Sequence, residues 1–134
     1  MTQANPAPGF ATHPGYTVVL EPAGKRVTIR FGGETIADST NAIALYEASY
    51  PPRYYIPKAD IRMDLLAAVD HQTYCPFKGD ARYWTLRAGG EVLENAAWAY
   101  DFPFDEAAGL LGHIGFYAEK MSLEIDGETA ANDP

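Results

Sequence analysis

The residues with the most chemistry cluster in one stretch, Thr73-Tyr74-Cys75-Pro76-Phe77-Lys78-Gly79-Asp80-Ala81-Arg82-Tyr83-Trp84. Lys78 follows Cys75 by three positions, close enough to lower the thiol pKa if the loop folds back. His71, four residues before the cysteine, is placed to act as its base. That spacing makes Cys75 a candidate nucleophile, with Lys78, His71 and Asp60 as candidate partners. The ordinary account of a lone cysteine is a small buried residue that closes a loop. Asp60 and Asp64 would share one face of a short helix, where two nearby carboxylates can divide acid and base roles. Their ordinary account is a helix cap and a solvated side chain. His71, Cys75 and His113 lack the close-paired spacing and the fourth ligand of a zinc site, so no metal is expected.

A second group is aromatic. Tyr54, Tyr55, Tyr83, Trp84, Trp98 and Tyr100 can form a wall, with Lys78, Glu94, Asn95 and His113 as polar anchors. Ligand pockets combine an apolar lining with a few convergent polar groups. The expected ligand-binding set is therefore Tyr54, Lys78, Tyr83, Trp84, Glu94, Asn95, Trp98 and His113. Other chemistries lack their motifs. No glycine-rich loop ends in Lys-Ser or Lys-Thr, no GxGxxG follows a strand, and no GxSxG surrounds a serine, so no cofactor is expected.

These side chains must be positioned by strands. Val27, Ile29 and Phe31 alternate with Arg26, Thr28 and Arg30. Gly32-Gly33 supplies the turn of a hairpin into residues 34–38. Residues 16–21 and 42–47 read as further strands, and prolines at 51, 52 and 57 make the strand around Tyr54-Tyr55-Ile56 short or peripheral. Two long β-prone runs, 81–87 and 91–100, flank Ala88-Gly89-Gly90. A two-residue turn there pairs Trp84 with Asn95 and Trp98 with Ala81. That register leaves Trp84 to line a cleft and puts Trp98 in the core. Residues 114–117 and 122–125 read as a closing pair of strands. Helix is scarce: one is expected over 61–67, capped by Asp60, and a turn or two over 105–111. The fold class is mainly β, with small antiparallel sheets meeting as a partly open barrel.

The chain has 134 residues and suits one domain over 16–126, between a flexible N-terminal tail (1–15) and a frayed C-terminal one (127–134). Its net charge of −8 argues against a partner of duplex nucleic acid, which needs a basic face. Nine basic residues balance ten acidic ones up to Tyr100, whereas eight acids face only Lys120 beyond it. Residues 53–87 carry a small basic surplus, read either as solvated surface or as the rim of a pocket for an anion. No apolar run is long enough to span a bilayer. A single cysteine and no secretory signal point to a reducing, cytoplasmic compartment. The aromatic content is compatible with homo-oligomerisation.

Several runs, taken in order, resemble a known family. They are Tyr50-Pro51-Pro52-Arg53-Tyr54-Tyr55-Ile56-Pro57, Asp60-Ile61-Arg62, Asp64-Leu65-Leu66, Thr73, Cys75-Pro76, Lys78-Gly79, Ala81, Tyr83-Trp84, Glu94-Asn95-Ala96-Ala97-Trp98 with Tyr100, Gly112-His113-Ile114 and Phe116-Tyr117. The pattern is similar to domain-of-unknown-function family 427, sometimes labelled nucleotidyltransferase-like. The resemblance implies a beta-tent fold, in which two small antiparallel sheets meet at an angle over a cleft. Beta-tent relatives with four zinc-binding cysteines, or with a resolving cysteine for sulfoxide reduction, differ from this chain, which has only Cys75. The Gly-Ser and paired-aspartate pattern of nucleotidyltransferases is also missing. The two functions carried forward are a small-molecule binding module with an aromatic-lined cleft, and a small enzyme using Cys75 or an Asp/His/Lys cluster.

Overall fold

The computed structural model describes residues 4–129. Eleven strands form in it: β1 Val18–Pro22, β2 Val27–Phe31, β3 Glu34–Ser39, β4 Ile43–Glu47, β5 Arg53–Pro57, β6 Leu66–Cys75, β7 Gly79–Ala88, β8 Glu91–Tyr100, β9 His113–Phe116, β10 Ser122–Ile125 and β11 Glu128–Thr129. The chain is mainly β, as expected. One antiparallel sheet runs β1-β4-β5-β9-β8-β7-β6 and a smaller one runs β11-β10-β2-β3. Neither closes into a barrel.

The period-two patterning of the strands decides how the sheets stack. From the small sheet Val27, Ile29, Ile36 and Leu123 face Ile56, Trp84, Leu86, Ile114 and Phe116 of the large one, forming the core between them. Alternate residues of the large sheet build a second core on its other face. There Leu45, Tyr55, Tyr83, Trp98 and Tyr100 pack under Ala107 and Leu110, which come from a 3-10 turn over Asp105–Leu110. Gly115 stands between Tyr55 and Trp98 in the strand pairing. A Cβ there would lie 2.8 Å from the indole and 2.9 Å from the phenol ring, so glycine is what lets the two rings meet. The indole N–H donates to the Tyr55 hydroxyl at 3.0 Å.

Four local readings need correction. Residues 61–67 form no helix: short 3-10 turns over Lys58–Asp60 and Met63–Leu65 lead into β6. Asp60 caps nothing and instead accepts a hydrogen bond from the Ser39 hydroxyl at 2.6 Å. Its pairing with Asp64 on one helical face disappears with the helix. The strands read as a closing pair are β9 and β10, which lie in different sheets. Finally, the β7–β8 register matches the expected one beside the turn, where Leu86 opposes Leu93, but shifts beyond it. Asn95 has φ +53°, a left-handed conformation that asparagine tolerates, and the extra residues on β8 bring Trp84 opposite Ala97 and Trp98 opposite Tyr83.

The segment before β1 is held at several points. The Asn5 N–H donates to the Asp105 carboxylate, the Ala7 N–H to Glu106 and the Gly9 N–H to the Pro76 carbonyl. A single helical turn, α1 Gly9–Thr12, follows. At the other end β11 pairs with β10, while residues 130–134 of the expected C-terminal tail lie outside the described residues.

Candidate functional site

A cavity of about 490 Å³ opens where the two sheets part. It is lined by Ile29 of β2 and Leu123 of β10 from the small sheet, and by Leu45, Glu47, Arg53 and Tyr54 from the β4–β5 end of the large one. Tyr50, Pro51, Pro52, Phe116, Ala118 and Glu119 complete the lining. The β4–β5 pairing sets Leu45 directly opposite Arg53, which fixes where the guanidinium emerges. Arg53 donates to both carboxylate oxygens of Glu119, at 2.8 and 2.9 Å. Its guanidinium also sits over the rings of Trp98 and Tyr117, 5.6 and 5.5 Å from their centroids. Glu119 lies below the usual carboxylate range because Arg53 donates to it, and Arg53 is held charged by the same contact.

Glu47 connects this cavity to a buried charge cluster. Lys78 Nζ donates to Glu47 Oε1 at 2.7 Å, and the Tyr16 hydroxyl donates to the other carboxylate oxygen. Burial opposes the charge on Glu47, but the Lys78 and Tyr16 hydrogen bonds outweigh it and leave the carboxyl below its ordinary range. Burial likewise works against the Lys78 ammonium, yet the Tyr55 hydroxyl and Glu47 more than compensate, and its pKa is raised. Lys78 is therefore a fixed cation and not a neutral amine nucleophile at neutral pH. Its ammonium lies 5.9 Å from the Tyr100 ring centroid. Burial raises the Tyr100 pKa strongly, and the neighbouring Tyr55 adds to this, so the phenol stays neutral.

The expected site residues distribute as follows. Tyr54 lines the cavity, and Lys78 reaches it through Glu47. Trp84 is 4% exposed in the core between the sheets, and Trp98 is 6% exposed in the second core. Tyr83 is buried beside Trp98, and its hydroxyl meets that of Thr73 at 2.8 Å. Glu94 is exposed, Asn95 makes the irregularity in β8, and His113 Nδ1 lies 3.0 Å from the Leu111 carbonyl oxygen. Cys75 is half-buried at the end of β6 and does not line the cavity. His71 is exposed at an irregularity in β6, with its ring 4.7 Å from that of Tyr83. Asp60 accepts a hydrogen bond from the Ser39 hydroxyl at 2.6 Å, while Cys75 and Lys78 share the β6–β7 turn, where the Lys78 N–H donates to the Cys75 carbonyl at 3.3 Å.

Sequence reasoning missed Glu47, Arg53, Glu119 and Tyr16. Glu47 carried a signal, because a carboxylate that continues the buried alternation of Leu45 must find a cation. The basic surplus of residues 53–87 is not a free rim. Arg53, Arg62, Lys78 and Arg82 pair with Glu119, Asp64, Glu47 and Asp101, so two of the C-terminal acids neutralise the middle of the chain.

Among the described residues no group of three or more His, Cys, Asp or Glu side chains could hold a metal ion, and no helix is long and apolar enough to cross a membrane. A comparison with curated proteins finds no match. A family model does match residues 19–127, which hold both cores, the cavity and the Lys78–Glu47 pair, and the chain therefore belongs to the family described as Domain of unknown function (DUF427).

Proposed function

We propose that this chain is a small-molecule binding module whose ligand occupies the cavity between the sheets. The observation that carries the reading is the cavity's construction. Its volume of about 490 Å³ falls in the range of ligand sites, roughly 300–1,000 Å³. Apolar side chains from both sheets form its walls, while its charged groups, Glu47, Arg53 and Glu119, are each held in a defined geometry. Arg53 and Glu119 neutralise one another, and Lys78 neutralises Glu47. The site therefore suits an uncharged, partly aromatic molecule carrying a hydrogen-bonding group, and not the anion suggested by the basic surplus.

The test is a thermal-shift screen of neutral aromatic amides and alcohols against the unaltered chain and an Ala118→Trp variant, whose indole fills the cavity. A ligand at a hundredfold excess over its Kd stabilises by about 2.7 kcal/mol. Hits that stabilise the unaltered chain and not Ala118→Trp support the proposal. A screen without such hits, or with hits indifferent to the substitution, contradicts it. One observation favours the enzymatic alternative: Cys75 and Lys78 share the tight β6–β7 turn, where the Lys78 N–H donates to the Cys75 carbonyl at 3.3 Å. Fast alkylation of Cys75 in the folded protein, with an apparent pKa well below ~8.5, supports that reading.

A further inference from the structure

The Glu47–Lys78 pair is completed by a residue outside the matched domain. The family match begins at residue 19, whereas Tyr16 belongs to the segment that precedes it. That segment lies across the β6–β7 turn as a strap. The Tyr16 ring stacks on Phe77 with centroids 4.0 Å apart and planes 19° apart, and Phe10 packs edge-on against the same ring at 5.0 Å. The Tyr16 hydroxyl donates to one oxygen of Glu47 while Lys78 holds the other. Other anchors of the strap are backbone contacts to Pro76, Asp105 and Glu106, the Ala48 N–H donating to the Thr17 carbonyl, and the edge of His13 against Phe77, none of which involves the phenol hydroxyl.

This arrangement has the parts of a ligand site. Phe77 is a buried aromatic platform, and Glu47 is an ionised acceptor with one oxygen directed at a hydroxyl. Lys78, with a side chain only 11% exposed, keeps that acceptor charged. A buried ion pair by itself adds little stability. A charged acceptor is, however, about twice as strong a hydrogen-bond partner as a neutral one. We propose that Phe77, Glu47 and Lys78 form a recognition site for a para-substituted phenol, occupied in cis by Tyr16 of the strap. A tethered group acts at an effective concentration in the millimolar range, so an external phenol must displace the strap or find it already lifted. The site is separate from the cavity proposed above and shares only Glu47 with it.

The probe is 4-methylphenol, the tyrosine side chain without its backbone, titrated into the unaltered chain and Tyr16→Ala and followed by amide chemical shifts. Tyr16→Ala should bind it saturably, with shifts at Phe77 and Lys78, at least about tenfold more tightly than the unaltered chain does. The ether 4-methylanisole, which cannot donate, should bind Tyr16→Ala at least about tenfold more weakly than the phenol. Adding Glu47→Gln to Tyr16→Ala should remove the preference for the phenol. Glu106→Ala, which loosens the strap far from the ring, should strengthen phenol binding to a chain that keeps Tyr16. If Tyr16→Ala does not fold alone, 4-methylphenol has to restore its folded spectrum. N-acetyltyrosinamide distinguishes the sources: tighter binding than 4-methylphenol points to a tyrosine in a peptide, weaker binding to a free phenol. The proposal is overturned if Tyr16→Ala shows no saturable shift and no rescue. Equal binding of the ether, or equal affinity in the unaltered chain, overturns it as well.

Discussion

Replacing Lys78 with methionine tests the electrostatic centre of this structure. The ammonium lies 2.7 Å from Glu47 Oε1, and at an effective dielectric constant of about 20 that separation corresponds to roughly 6 kcal/mol of attraction. Desolvation of both ions offsets much of it. Lys78 and Glu47 have side chains only 11% and 20% exposed, so removing the cation leaves a poorly hydrated carboxylate held by Tyr16 alone. Breaking a buried pair costs about 3–5 kcal/mol. Because Glu47 keeps some solvent contact, Lys78→Met should cost roughly 2–4 kcal/mol at pH 7. Replacing both partners, as Lys78→Met with Glu47→Leu, should be nearer neutral. The pH dependence has a definite sign. In the unaltered chain the Glu47 pKa lies below its ordinary value of 4.5, so its contribution is present above that value and lost as the pH falls through the lower folded pKa. Without Lys78, burial, already the largest single influence on Glu47, is opposed only by Tyr16 and Arg53 and should raise its pKa. Acidification then relieves the variant, and the stability gap between the two proteins should narrow from pH 7 to pH 4. Urea midpoints for the four members of the double-mutant cycle, at both pH values, measure this. A Lys78→Met cost below about 1 kcal/mol, or a gap that widens on acidification, would refute the reasoning.

Three further outcomes follow from the packing. Gly115→Ala should lose about 1–3 kcal/mol by urea denaturation, because its methyl would enter the Tyr55–Trp98 contact; no loss would mean that the contact can yield freely. Trp84→Ala and Trp98→Ala should each cost about 3–5 kcal/mol, since both rings fill cores, and a cheap Trp84→Ala would return that residue to a cleft. Arg53→Ala removes a partly exposed ion pair and should cost about 1 kcal/mol or less, yet weaken any ligand of the cavity at least tenfold. A loss of stability without a loss of binding would make Arg53 purely structural.

The parts of the fold that are legible in the sequence are those fixed by local patterning. The Gly32-Gly33 hairpin, the two long strands flanking Gly89-Gly90 and the alternation of Val27, Ile29 and Phe31 all appear where the residues place them. The misread segments are those whose partners are distant or whose backbone is irregular. In β6 the stretch Asp70-His71-Gln72-Thr73 is polar and exposed, because the strand lies at a sheet edge, so it carries no buried alternation to read. β9 and β10 are both β-prone, but nothing local says that they join different sheets. The bend at Asn95 was accessible in principle, because asparagine within a β-prone run tolerates the left-handed region. For the site, Tyr54 and Lys78 were legible as residue types, whereas their setting was not. Glu47 lies 31 residues from Lys78 in the chain, and Arg53 lies 66 from Glu119. Only the sheet topology brings such pairs together.

The claim that the cavity between the sheets binds a small uncharged molecule is tested most directly by titrating indole, a neutral aromatic donor, into isotopically labelled protein and mapping the amide shifts. Saturable shifts should concentrate at Tyr54, Phe116, Ala118 and Leu123 and vanish in Leu123→Trp, whose side chain fills the space. Shifts that are absent, that scatter over the surface, or that persist in Leu123→Trp would contradict it.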